Sequence, residues 1–256
     1  MNSRWAVAGA GLGVVLGLLL FAPAAWLASA VAAGTDARVQ LADARGSVWR
    51  GNARLVVSGG VGSLDAQALP GRLAWELGPS LQGLRLRLSA DCCIQAPLEM
   101  TLVPGWRSFG LRVANGASQW PAALLAGFGA PWNTVQLEGL LRVSSEGLSV
   151  EWVGGRMQVV GVAQLEALGM SSKLATLKPI GSYRLRLSAG AGQGPPVLQL
   201  QTLEGSLALS GSGAWDGARW RFRGEASAAP ESEQALGNLL NMVGRREGAR
   251  SAISLG

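Results

Sequence analysis

No residue between positions 5 and 31 carries a charge, and within that stretch Val14-Val15-Leu16-Gly17-Leu18-Leu19-Leu20-Phe21 is almost wholly aliphatic. As a helix rising ~1.5 Å per residue it would be about 40 Å long, more than the ~30 Å hydrocarbon layer of a bilayer requires. The run therefore predicts a single membrane-crossing helix over residues 5–31. It leaves a cytoplasmic tip at 1–4 and a large exported part at 32–256. Arg4 precedes the run and Asp36 is the first charge after it, so the positive-inside rule places the N-terminus in the cytoplasm. Trp5 and Trp26 lie near the two ends, where indole rings favour the interface. A secretory leader is the competing reading, because Ala28-Ser29-Ala30 has the small-x-small pattern of a cleavage site and Pro23 precedes it. The run is longer than a typical leader core, which favours an uncleaved anchor in a bacterial inner membrane.

Beyond residue 34 the pattern changes to short segments of alternating polarity punctuated by Gly, of which the 256-residue chain has 37. That period of two predicts a mainly β, antiparallel domain, either an extended curved sheet or a sandwich. Strands are expected at 37–42, 47–57, 71–77, 84–90, 98–103, 109–113, 134–143, 148–153, 157–162, 182–189, 197–201, 205–210 and 220–226. Leu84-Arg85-Leu86-Arg87-Leu88-Ser89-Ala90 is echoed by Tyr183-Arg184-Leu185-Arg186-Leu187-Ser188-Ala189. Two related β units, 35–115 and 130–226, would account for the echo, as would chance similarity among simple strands. Trp120-Pro121 opens a stretch to Phe128 that predicts a short helix between them. A second helix is predicted over 230–246, with Glu231 and Glu233 in its first turn and Arg245 and Arg246 in its last. Leu236, Leu239, Leu240 and Val243 share one face of it, to pack on the sheet or to dock on a partner helix or groove.

The charge balance is 22 Lys and Arg against 16 Asp and Glu, a net of +6. The Arg residues alternate with apolar ones instead of clustering, which is the signature of solvated strand faces and not of a nucleic-acid site. The chain has no His and two Cys, adjacent at Cys92 and Cys93. Imidazole-activated nucleophiles are thereby excluded, and neighbouring Cys on opposite strand faces cannot hold one metal ion. The pair is either two thiols or a vicinal disulfide, the latter spanning Cα atoms only ~3.8 Å apart. The carboxylates are scattered, and no Gly-rich stretch forms a phosphate loop with a Lys-Ser/Thr ending. No catalytic, cofactor or metal residues are expected.

The most specific local signal is Gly46-Ser47-Val48-Trp49-Arg50-Gly51, where Gly46 and Gly51 can bend or bulge the chain and Trp49 can fill a core layer. Placed about fifteen residues past an apolar N-terminal helix, it resembles the opening of protein N of the type II, or general, secretion pathway. The similarity continues through Leu69-Pro70-Gly71-Arg72-Leu73-Ala74-Trp75-Glu76-Leu77, Leu137-Glu138-Gly139, Leu203-Glu204-Gly205 and the ending Leu239-Leu240-Asn241-Met242-Val243-Gly244-Arg245-Arg246. The resemblance implies a non-enzymatic component of the machine that exports folded proteins across the outer membrane. Its implied partners are other subunits, in the inner-membrane platform or the secretin, with the inner membrane as anchor. An envelope lipid-binding or lipid-conducting β-groove protein is the alternative. A continuous apolar trough would favour that alternative, and a sheet face closed by Trp75, Trp106, Trp152 and Trp220 would oppose it.

Overall fold

The computed structural model describes residues 20–154, 156–190, 194–217, 219–247 and 250–255, together with Gly9, Gly11, Gly13 and Gly17. Eleven of the 27 residues of the predicted membrane helix, all of them before Leu20, lie outside these residues. What is described shows that 5–31 is not one uninterrupted helix. Leu20 is helical, Phe21 turns, and Pro23 is extended at φ −68° and ψ 148° before helix α1, Ala24–Gly34, begins. Pro23 explains the break, since its ring disfavours helical backbone at the preceding Ala22. Among the described residues no helix is long and apolar enough to cross a membrane. Instead α1 is part of the β domain, with Ala24 packed against Ala53 and Trp75.

The strands are β1 (Val39–Gly46), β2 (Arg50–Ser58), β3 (Ala66–Ala68), β4 (Leu73–Ser80), β5 (Gly83–Ala90), β6 (Ile94–Pro104), β7 (Ser108–Val113) and β8 (Gly116–Pro121). After a 3-10 helix at Ala122–Phe128 and a short α2, Trp132–Val135, come β9 (Leu137–Val153), β10 (Arg156–Ser172), β11 (Gly181–Ala189), β12 (Val197–Gly205), β13 (Leu207–Trp215) and β14 (Trp220–Ala228). Helix α3, Glu233–Val243, precedes β15 (Arg245–Glu247) and β16 (Arg250–Leu255). All the described pairings are antiparallel, and they make one 16-stranded sheet running β1-β2-β4-β5-β6-β7-β9-β10-β11-β12-β13-β14-β16-β15. β3 adds to β2, and β8 pairs with the lower part of β9 while β7 pairs with the upper part. The β7–β9 ladder thus joins 35–115 and 130–226 into a single sheet.

The alternating pattern predicts most of these strands, and the differences have local causes. Thr134 and Val135 belong to α2, and the rest of 134–143 joins 148–153 in one 17-residue strand from Leu137, because Gly147 sits in a bulge and not in a turn. Gly147 at φ 58° lies against Gly161 at φ 99°, where the register of β9 and β10 slips. The helix predicted from Trp120 starts at Ala122, since Trp120 and Pro121 end β8. The helix predicted over 230–246 is a 3-10 turn at Pro230–Ser232 followed by α3, which stops at Val243. Gly244 is extended there, at φ −167° and ψ −174°, and Arg245 opens a strand. Arg246 nonetheless reaches back to the Glu233 carboxylate at 2.9 Å.

One face of the sheet is apolar and covered by the short helices. α1 lies over Ala53 and Trp75 near the β1 edge, and the 3-10 helix brings Leu124 onto the cluster of Leu69, Leu73 and Ile94. α3 packs Leu236, Leu239 and Leu240 against Ile180, Tyr183, Leu207 and Ala226. On the opposite face the alternating Arg residues make cross-strand ion pairs, Arg87 with Glu99 at 2.6 Å and Arg184 with Glu166 at 2.8 Å. Truncating Leu240, which is fully buried, should cost about 2–5 kcal/mol in urea unfolding, whereas Leu64→Ala at a fully exposed site should stay within about 0.5 kcal/mol.

Candidate interaction surfaces

The Gly46–Gly51 segment is the tight connection between β1 and β2, with Ser47, Val48 and Trp49 outside the strands. Trp49 is half-buried there and does not fill the core layer; Trp75, from β4, does, at 2 % exposure. The Trp75 indole Nε1 donates to the Val48 carbonyl at 3.0 Å, and its ring lies over Gly51, where any Cβ would collide with it. Gly46 carries the positive φ, 91°, that the turn requires. The N-terminal chain is fixed to this same hairpin. The Val48 amide donates to the Ala22 carbonyl at 2.8 Å, and Pro23 bridges to Ser47.

Beside the hairpin, β1 bulges at Asp43, whose φ is 51°. Arg72 spans the bulge. Its Nη1 meets the Asp43 carboxylate at 2.9 Å, its Nη2 donates to the Asp43 carbonyl, and its Nε donates to Asn52 Oδ1. Hydrogen bonds from Arg72 and then Arg45 hold the Asp43 carboxyl below the usual carboxylate range.

Cys92 and Cys93 are joined as a vicinal disulfide with Cα atoms 3.8 Å apart. They occupy the β5–β6 turn and not a strand, with Cys93 buried beside Ile94 and Cys92 exposed. The helix face proposed for a partner is already taken, because Leu236, Leu239 and Leu240 are buried against the sheet; the side chain of Val243 lies outside the described residues. Tyr183 is likewise internal; burial pushes its phenol well up, and it donates to the Leu207 carbonyl at 3.0 Å. Among the described residues no three of His, Cys, Asp and Glu come together as metal ligands would.

The four Trp residues weighed as a lid over the sheet do not act together. Trp75 is buried, Trp106 is fully exposed in the β6–β7 turn, Trp152 is 40 % exposed near the end of β9, and Trp220 stacks edge-on with Trp215. Exposed apolar side chains gather instead at the two ends of the strands. Antiparallel order puts the β1–β2, β4–β5, β6–β7, β9–β10 and β13–β14 turns at one end, called upper here. It carries Leu81, Trp106, Phe109, Trp152 and Val153. The lower end carries Val61, Leu64, Phe128 and Trp132. The sequence signal for the upper group is bulky residues inside Gly- and Pro-containing turns, as in Pro104-Gly105-Trp106-Arg107, where polar residues are the rule.

The carboxyl of Asp43 should titrate below the ordinary Asp range when followed by NMR, and Arg72→Gln should move it upward. Because the folded value is depressed, the pairing stabilises above the ordinary Asp pKa and is lost as pH falls through the folded one. Asp43→Asn should therefore lower stability at neutral and basic pH, leave it least changed at acid pH, and so flatten the acid limb of a pH–stability profile.

No curated protein and no solved structure matches the chain. The family model described as type II secretion system (T2SS), protein N matches residues 37–254, from just before β1 into β16, so it takes in the whole sheet and α3. By that match the chain belongs to the protein N family of the type II secretion system.

Proposed function

We propose that the chain is a non-enzymatic assembly subunit of the type II secretion apparatus, held by its N-terminal apolar segment in the inner membrane with the β domain in the periplasm. The family match across 37–254 is the observation that carries this reading. The chemistry agrees with it: the chain has no His, and its phenol at Tyr183 is committed to a backbone carbonyl. The family match also favours secretion over a lipid-conducting groove.

The anchor in this reading is shorter than composition alone implies. Since α1 packs on the sheet, the membrane segment is the apolar run from Trp5 to Phe21, roughly 25 Å as a helix and at the short end of what spans a bilayer. Ala28-Ser29-Ala30 lies inside α1, so cleavage there would strip Ala24 from the Ala53–Trp75 layer. That supports an uncleaved anchor. With the α3 face covered, partners in the platform or secretin are left the sheet edges, where among the described residues β1 offers an unpaired ladder beside the Asp43 bulge.

Deleting the gene in its host should move secreted enzymes from the medium to the periplasm, measured by activity in the two fractions. Complementation with the full chain should restore export, and tagged chain should co-purify other secretion subunits. Unchanged export together with an absence of co-purifying subunits would sink the reading.

A further inference from the structure

The upper end of the sheet combines two features that the secretion reading does not use. The first is a row of exposed apolar tips. Leu81 in the β4–β5 turn and Trp106 in the β6–β7 turn are fully exposed, and Phe109 and Trp152, cross-strand neighbours with ring centroids 5.8 Å apart, are 45 % and 40 % exposed. The second is the entry point of the N-terminal chain. Ala22 and Pro23 are fixed to Val48 and Ser47 in the β1–β2 turn, and Leu20 and Phe21 stand out from that turn at 65 % and 81 % exposure. Strand order makes these neighbours. From β1 to β9 the sheet crosses six strand spacings, about 30 Å at ~4.8 Å each. Register carries the edge outward along that row: Arg50 is level with Glu76, Arg87 and Glu99, and the β4–β5 and β6–β7 turns extend beyond that level.

We propose that this inclined edge rests on the surface of the bilayer that holds the N-terminal segment, with Leu81, Trp106 and the Phe109–Trp152 pair in its interfacial layer. The inference rests on the anchored reading given above. A bilayer fits better than a folded partner because Leu81 and Trp106 sit singly on separate turns, apart from the Phe109–Trp152 pair on β7 and β9, while indole and phenyl rings are the groups that favour the lipid–water interface. Arg107, exposed beside Trp106 in the β6–β7 turn, suits phosphate head groups. Arg85 and Glu151 are exposed as well, but register puts both on the other face of the sheet from Phe109 and Trp152. Tethering makes weak contacts sufficient, since the N-terminal segment holds the edge at high local concentration near the membrane. The lower apolar group, with Val61 and Leu64, lies a strand length of roughly 30 Å away from that bilayer and is excluded from it.

The test uses the full chain reconstituted into vesicles of phosphatidylethanolamine and phosphatidylglycerol. An environment-sensitive maleimide dye is placed on Trp106→Cys or, as the lower-end control, on Leu64→Cys; the native Cys pair is bonded to itself and takes no dye. The expected result is blue-shifted emission at 106, quenched several-fold more by spin-labelled lipid than at 64, and reversed when Leu81→Asp and Trp152→Asp are added. Water-like emission at both positions, or an equal shift at both, overturns the proposal. Carbonate extraction of the same vesicles reports separately on the anchor. Extractable protein with no shift at 106 defeats both readings. Retained protein with no shift defeats only the surface contact, and extractable protein that still shifts at 106 defeats only the anchor.

Discussion

An open sheet this long has to cover its own apolar face, and the rest of the structure follows from that requirement. The described strands pair in order from β1 to β15, with β3 added to β2 and β8 to β9, so among the described residues the sheet has two free edges and one face that would otherwise be wet. Three short helical pieces supply the cover. α1 lies near the β1 edge, α3 lies against β14 and β16, and the 3-10 helix fills the lower middle. Each is too short to be stable alone, and each is held by a few fully excluded residues such as Ala24, Ala122 and Leu240. Curvature comes from bulges in the long central strands, where Gly147 and Gly161 meet with positive φ.

The legible part of the fold was the part written in side-chain alternation. Arg85 and Arg87 against Leu84, Leu86 and Leu88 specify both a strand and its outward face, and Arg87 does pair with Glu99 across that face. The illegible parts have identifiable physical origins. β3, β8 and β16 are short or polar, with Ala66-Gln67-Ala68 too small and Gly116-Ala117-Ser118-Gln119 too weakly patterned to stand out. Glycine has two meanings, and at Gly147 the bulge prevailed over the turn. An uncharged run has two meanings as well, because Ala24 to Val31 is apolar enough for a membrane and small enough to pack on a sheet.

The same ambiguity governed the site. Gly46 and Gly51 were readable as backbone devices, but the aromatic ring they accommodate is Trp75, brought from β4, because Gly51 leaves a flat seat that only a long-range neighbour can occupy. The amphipathic stripe Leu236, Leu239 and Leu240 was readable as an apolar face, and nothing in its spacing distinguishes a covered face from an offered one. The exposed tips at Leu81 and Trp106 escaped the pattern because they belong to turns, where periodicity carries no information. What remains is a domain in which Arg72 ties Asp43 to Asn52 across the β1 bulge.

The attachment of Ala22 and Pro23 at the upper end also fixes how the domain bears mechanical load. α1 starts at that end and runs toward the lower turn at Thr35 to Arg38, where the chain reverses into β1. A pull on the N-terminal segment is therefore directed along α1, parallel to the strands it lies on. Such a force has to slide the whole helix past Ala53 and Trp75 before anything yields, in place of opening contacts one by one from a free end. A domain loaded through its N-terminal segment would be secured by shear along its first helix, with the sheet behind it undisturbed.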